Sequence, residues 1–399
     1  MRALLGAVAL AAALALPATA DWSFDEAKAV GGEAREGVFH QLDGTARQHL
    51  AVDEGFVAAA WSDNADGSYQ ARAAFRALGE DFGAVQTLST GAEGYQPVVV
   101  ALGDGRFLFA WEQDQRVWMR TATAQGLGPA VQVDEAQSTE PSLAAHSEHG
   151  VVAAWVRREG RVMRLYSAPL RVAGDGALEL GDARPVDPEP AARDQLYPSV
   201  AVTDAGVVIG WEDRRHGHTR LYTGFRPHGG DFGAPRGLND QPQGPRTALF
   251  GAGSGVTRVA LAARGDRVAA VWMDKRDYRS GYDVFAALSE DGGRSFGANE
   301  MVQDMFGAET PQWRPAVAMD PGGLSLAVWD DTRDDTPDLW MSWREDGEWS
   351  DDVAVAPAYG PGAHTSPAAA FGPDGRLHLL WTSRTQEGLS RLGYVEAGR

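Results

Sequence analysis

Seven tryptophans close seven short apolar runs along the chain: Trp61, Trp111, Trp155, Trp211, Trp272, Trp329 and Trp381. The runs share one alternating pattern: GFVAAAW, GRFLFAW, GVVAAW, GVVIGW, DRVAAVW, GLSLAVW and GRLHLLW. Apolar residues that alternate over so short a stretch predict a strand. A turn rich in Gly and Asp precedes each run, as in Gly103-Asp104-Gly105 and Gly372-Pro373-Asp374-Gly375. Before each turn lies another apolar strand, such as 198–202 (PSVAV) or 315–319 (PAVAM). After the Trp come a charged turn, a third strand such as 219–225 (TRLYTGF) or 338–343 (DLWMSW), and a weaker fourth such as 301–304 (MVQD).

The Trp-to-Trp spacings run from 44 to 61 residues, the size of one propeller blade. The pattern therefore predicts an all-β, seven-bladed β-propeller of four-stranded antiparallel blades. The last repeat stops after its third strand, near Leu392-Gly393-Tyr394. The segment Asp21-Trp22-Ser23-Phe24-Asp25-Glu26-Ala27 resembles Gly293-Arg294-Ser295-Phe296-Gly297-Ala298-Asn299, which leads into a fourth strand. The N-terminal strand is thus expected to close the last blade, leaving the ring no open edge. Residues 21–399 then form a single domain. Two packed β-domains are the competing arrangement, but no linker composition divides the chain.

Residues 1–20 read differently. One Arg, an apolar run from Ala3 to Leu16 and the ending Ala18-Thr19-Ala20 match a signal peptide cleaved after Ala20. That predicts a periplasmic or secreted protein without membrane insertion. Among the 399 residues there is no Cys, which excludes disulfides, thiolate metal sites and Cys nucleophiles. The net charge of −19 argues against nucleic acid as a partner.

One turn carries a more specific pattern. Ser289-Glu290-Asp291-Gly292-Gly293-Arg294-Ser295-Phe296 resembles the Asp-box of the BNR-repeat, sialidase-like propellers. Degenerate echoes stand at Gly79-Glu80-Asp81-Phe82-Gly83, Gly229-Gly230-Asp231-Phe232-Gly233 and Glu345-Asp346-Gly347-Glu348-Trp349. The resemblance implies that Ser289, Asp291, Gly293, Ser295 and Phe296 are structural, between the third and fourth strands, opposite the functional face. A sialidase would need three Arg, a Tyr nucleophile with a Glu partner, and an Asp acid/base. By type these are Arg215, Arg276 and Arg333, Tyr278 or Tyr282, Glu309, and Asp274. The family's Arg-Ile-Pro segment is absent, and the repeat count is seven where sialidases have six blades.

With the box turns below, the turns after each Trp lie on the top face with the connections between blades. Three of them share Trp-x-Asp-x-Arg: Asp213 with Arg215, Asp274 with Arg276, and Asp331 with Arg333. One reading is a ligand face in which Arg forks a carboxylate or sulfate. The other is a turn device in which each Asp caps its turn and pairs with its Arg. The departures from the repeat point to blades four to six. They include Arg214, His216 and His218; Asp277, Tyr278, Arg279 and Tyr282; Arg246 and Phe250; Glu309; Trp313-Arg314; and His364. Long connections on a rigid scaffold concentrate binding residues.

No metal or cofactor is expected. The 63–67 loop (Asp63, Asn64, Asp66) lacks a closing Glu, the acidic group Asp330, Asp331, Asp334 and Asp335 surrounds Arg333, and His216-x-His218 has no evident third ligand. The leading expectation is an exported, monomeric module that binds a glycan or protein through its top face near blades four to six. The alternative is a sialidase-like glycoside hydrolase acting on acidic sugars.

Overall fold

Each Trp-bearing run is the second strand of an antiparallel sheet, and seven such sheets surround one axis in the computed structural model. The structure describes residues 22–91, 93–174, 176–240, 255–276, 281–304 and 310–399. Blade four shows the plan: Gln195–Val202 innermost, then Gly206–Asp213, Arg220–Pro227 and Arg236–Gly237. In blades two, three, six and seven the outer strand is split into two short pieces. The last blade is closed as the sequence predicts. Ser23–Phe24 and Lys28–Val30 pair with Ser390–Gly398, Ser23 opposite Gly398 and Val30 opposite Leu392. Two distant segments thus share one sheet, and the ring closes without a covalent link.

The core lies between blades. Period-two alternation sends each Trp to one face of its sheet, where it packs on the preceding blade. Trp111 meets Phe75 of blade one, and Trp272 meets Val208 of blade four. All seven indoles are buried, at 0–2% exposure. The packing leaves no slack: a Cβ on Gly393 would stand 2.4 Å from the Trp381 ring.

The Asp-box of blade five forms its expected turn between the third and outer strands. Asp291 Oδ1 accepts from Ser289 Oγ at 2.8 Å and from Ser295 N at 2.9 Å. Gly293, at φ +89°, lies where any Cβ would meet Val208 at 2.6 Å.

Blade one breaks the symmetry. Its inner strand is interrupted: His40–Gln41 and Leu50–Val52 both pair with Phe56–Asp63, and the residues between leave the sheet. They enter the central channel, where a 3-10 turn at Thr45–Arg47 touches the inner strands of the other six blades. Buried His49 fastens this insert. Its Nε2 accepts from Gly44 N at 2.9 Å, and its Nδ1 donates to Ala60 O at 3.0 Å. Burial lowers its pKa to about 3, so the ring is neutral. Gln48 adds bonds to Leu143 and Ser142 of blade three.

Candidate functional site

The inner strands of blades two to seven share a device at their upper ends. Each has a register shift there, and one residue takes a left-handed conformation. These residues are Gln96, Glu140, Tyr197, Arg258, Arg314 and Ser366, at φ between +49° and +61°. In five of the six blades Pro follows: Pro97, Pro141, Pro198, Pro315 and Pro367. Pro has no N–H to give the ladder, so within a sheet it marks an edge or a bulge. A bulge re-aims the side chain beside it. Here it does so once per blade, at the mouth of the channel.

A second ring supports the first. The residue directly after each Trp faces the next blade, because successive side chains on a strand alternate. In three blades it is a carboxylate that accepts the bulge N–H of its neighbour. Glu112 accepts from Glu140 N at 2.6 Å and Glu212 from Arg258 N at 2.8 Å. Asp330 accepts from Ser366 N at 2.9 Å and takes a bidentate pair from Arg314 at 2.9 and 2.8 Å. Tyr197 N donates to Glu140 Oε2 at 2.5 Å, and the Arg258 guanidinium stands 3.7 Å from the Tyr197 ring centroid.

Of these groups Arg258, Arg314 and Ser366 line a top-face cavity of about 600 Å³ between blades five, six, seven and one. Arg47 from the insert, Arg258 and Arg314 line it with Asp43 and His40. Trp313, 37% exposed, stands at its edge with Tyr282 packed edge-on at 5.3 Å. The cavity therefore joins four guanidiniums, Arg384 of blade seven being the fourth, to an aromatic wall. Burial, then the facing Arg258 and Arg314, lower Arg47 to about 9, which still leaves it charged at neutral pH. Burial raises Asp43, Glu112, Glu212 and Asp330 above the ordinary carboxylate range. Glu140 is raised to about 8, by burial and then by Glu112 and Glu212. It is protonated at neutral pH, a state suited to a hydrogen-bond or proton donor. Asp43 Oδ1 and Gln96 Oε1 are buried without a protein partner. A bound polar ligand or water is the usual complement of such atoms.

The Trp-x-Asp-x-Arg turns are arranged otherwise. Asp213 holds Trp211 Nε1 at 3.2 Å, Arg215 N at 2.8 Å and Arg215 Nε at 2.9 Å. Asp274 holds Trp272 Nε1 at 3.1 Å and Arg276 Nη2 at 2.5 Å. Asp331 holds Trp329 Nε1 at 3.0 Å and Arg333 Nη2 at 2.6 Å. Each Arg then lies over an aromatic ring of its own blade: Tyr222, Phe285 or Trp340. The three pairs sit on three separate blades and do not converge. Arg214 is exposed, near enough to Glu212 and Tyr197 to oppose in part the burial that raises both. His216 and His218 are exposed, and His216 meets Tyr222 OH at 2.9 Å.

Asp63 and Asp66 are both engaged by Arg72. Asp330 turns from Arg333 to Arg314. Tyr278 and Glu309, with Asp277, Arg279, Arg246 and Phe250, lie outside the described residues. Of the residues singled out from sequence, Trp313 and Arg314 line the cavity and Tyr282 packs on its wall. Asp43, Arg47, Glu112, Glu140, Tyr197, Glu212 and Arg258 were not anticipated. The available signal was an X-Pro step recurring in one register of the inner strand.

No protein-family model matches the chain, and no curated protein matches it. Solved structures share the architecture. A protein of unknown function from Dyadobacter fermentans is 10% identical with a TM-score of 0.54, covering 94% of this chain and 98% of that one. A puromycin hydrolase is 16% identical with a TM-score of 0.54, covering 84% of this chain and 50% of that one. An α-L-arabinofuranosidase from Fusarium graminearum is 12% identical at a TM-score of 0.49, covering 75% of this chain and 91% of that one. At these identities the likeness is one of fold, and fold alone assigns no activity.

Proposed function

We propose that the protein is an exported binding module for an acidic glycan, held in the top-face cavity. The observation that carries this reading is the convergence of Arg47, Arg258 and Arg314 on one cavity edged by Trp313. Guanidiniums pair with carboxylate or sulfate through forked hydrogen bonds, and an exposed indole offers a flat apolar face to a sugar ring. Arg314 is already paired with Asp330, so Arg47, Arg258 and Arg384 are the lining cations left for a ligand anion. The test is a glycan array carrying uronate-, sialate- and sulfate-bearing oligosaccharides. Acidic glycans should be retained by the protein and lost by the Arg258→Met variant. Retention of neutral glycans alone would refute the proposal.

A second reading, hydrolysis of such a glycan, is supported by Glu140. A buried carboxyl that keeps its proton at neutral pH, beside Tyr197 and Arg258, has the character of a general acid. Fluorogenic acidic glycosides distinguish the two readings. Turnover that is abolished by Glu140→Gln, with binding intact, would make the module an enzyme.

A further inference from the structure

On the opposite face three of the chain's nine histidines meet one carboxylate. His146 and His149 lie at the turn between the inner and second strands of blade three. Asp204 occupies the equivalent turn of blade four, and His228 follows that blade's third strand. His146 Nε2 is 3.2 Å from Asp204 Oδ1. One donor atom from each of His146, His149 and Asp204 lies within 4.8 Å of the others. The rings are stacked, His146 on His149 at 4.8 Å and His149 on His228 at 3.7 Å. We propose that this cluster binds a divalent first-row transition ion, with zinc as the working probe, and so ties blade three to blade four.

The donor set suits such an ion. Neutral imidazoles with one carboxylate match zinc and its neighbours, whereas calcium and magnesium favour oxygen alone. Donors on a tetrahedral zinc of ~2.0–2.1 Å bond length stand about 3.3 Å apart, so the cluster has to contract by roughly an ångström or more. The turns can supply that, since His149, Asp204 and His228 are exposed and His146 half-buried. His228 already has an orienting bond of the kind metal-binding histidines use. Its Nε2 meets Thr203 O at 2.8 Å, which protonates Nε2 and leaves Nδ1 as the acceptor nitrogen of a ring stacked on His149. His146 has to change tautomer, because its Nδ1 accepts from Glu148 N at 3.2 Å. Coordination through Nε2 moves the proton to Nδ1 and breaks that bond, within an exposed turn. The acidic chain around the site, at net −19, favours a cation further.

The test is zinc titration of the purified, tag-free full chain by calorimetry, with thermal unfolding alongside. One saturable equivalent is expected, with zinc raising the unfolding temperature. His146→Ala/His149→Ala should lower the affinity at least tenfold, and His228→Ala by about 10–100-fold as an orienting residue. His216→Ala/His218→Ala, removing exposed histidines of the other face, should leave it unchanged. Circular dichroism checks that the variants fold. Absence of saturable binding would overturn the proposal. So would binding undiminished by the His146/His149 change, or lost equally on changing His216 and His218.

Discussion

The top face carries two rings, one on the inner strands of blades two to seven and one at the ends of the Trp-bearing second strands. The outer ring is the set of Trp-x-Asp-x-Arg turns, the inner one the set of bulges around the channel. Two positions past the Trp five of the seven blades carry Asp or Gln, with Arg157 and Ser383 the exceptions. Asp63, Gln113, Asp213, Asp274 and Asp331 each take their own indole N–H. One position past it the residues are unlike: Ser62, Glu112, Val156, Glu212, Met273, Asp330 and Thr382. The bulges differ just as widely, from Ser366 to Tyr197 to Arg258. A device that fastens the indole of most blades repeats in type. A pocket for one ligand needs unlike groups, so it is found where the repeat varies.

The largest expected effect falls on the outer ring. Asp331 is fully buried between Trp329 and Arg333, so Asp331→Ala leaves an indole N–H unpaired and strips the Arg333 guanidinium of one of its two buried carboxylates, Asp352 being the other. Loss of about 3–5 kcal/mol is expected in urea unfolding. Glycan binding by the molecules that remain folded should be unchanged. If binding went and stability stayed, the division between the rings would fail.

Next comes the inner ring. Arg258→Met keeps an apolar side chain but removes the guanidinium that stands over Tyr197. The affinity for an acidic glycan should fall by about tenfold to a hundredfold, the worth of one charged hydrogen bond at ~1.5–3 kcal/mol. The unfolding temperature should hold.

A third prediction uses pH. Glu140 titrates at about 8 in the folded protein, well above its ordinary 4.5. Between those values the folded state holds a proton that the unfolded state has released. Glu140 therefore contributes stability that is present below its unfolded pKa and is lost as pH rises toward 8. Urea midpoints at pH 5, 6.5 and 8 should decline less in Glu140→Gln than in the native protein. Equal declines would place the titrating group elsewhere. Acidic-glycan binding should also weaken above pH 8, when a new negative charge appears in the channel with Arg258.

The smallest effect belongs to the Asp-box. Asp291→Ala removes turn bonds to Ser289 and Ser295 on the lower face. About 1–2 kcal/mol of stability should go, with no change in ligand affinity.

The propeller was legible because its signal is redundant. Seven alternating runs ending in Trp need no single assignment to be right, and the resemblance of 21–27 to 293–299 reveals the closure of the ring. The pocket was hidden for the opposite reason. Glu140 and Arg258 sit on strands whose alternation gives no warning of a left-handed residue, and a carboxylate after a Trp reads as the polar end of a strand. Arg47 lies in an insert that departs from the inner-strand pattern and carries no motif. Repetition drew attention to Asp213, Asp274 and Asp331, which use that repetition to hold their own indoles. Trp313 and Arg314 came into view because a departure from the repeat was weighed as a signal.

The most direct measurement compares one arginine from each ring. Calorimetric titration with an acidic oligosaccharide, alongside thermal unfolding, would be run on Arg258→Met and Arg276→Met. The account predicts that Arg258→Met loses affinity and keeps its unfolding temperature. Arg276→Met, deprived of its pair with Asp274, should keep its affinity and unfold earlier. The reverse pattern, with binding dependent on Arg276 and indifferent to Arg258, would contradict it.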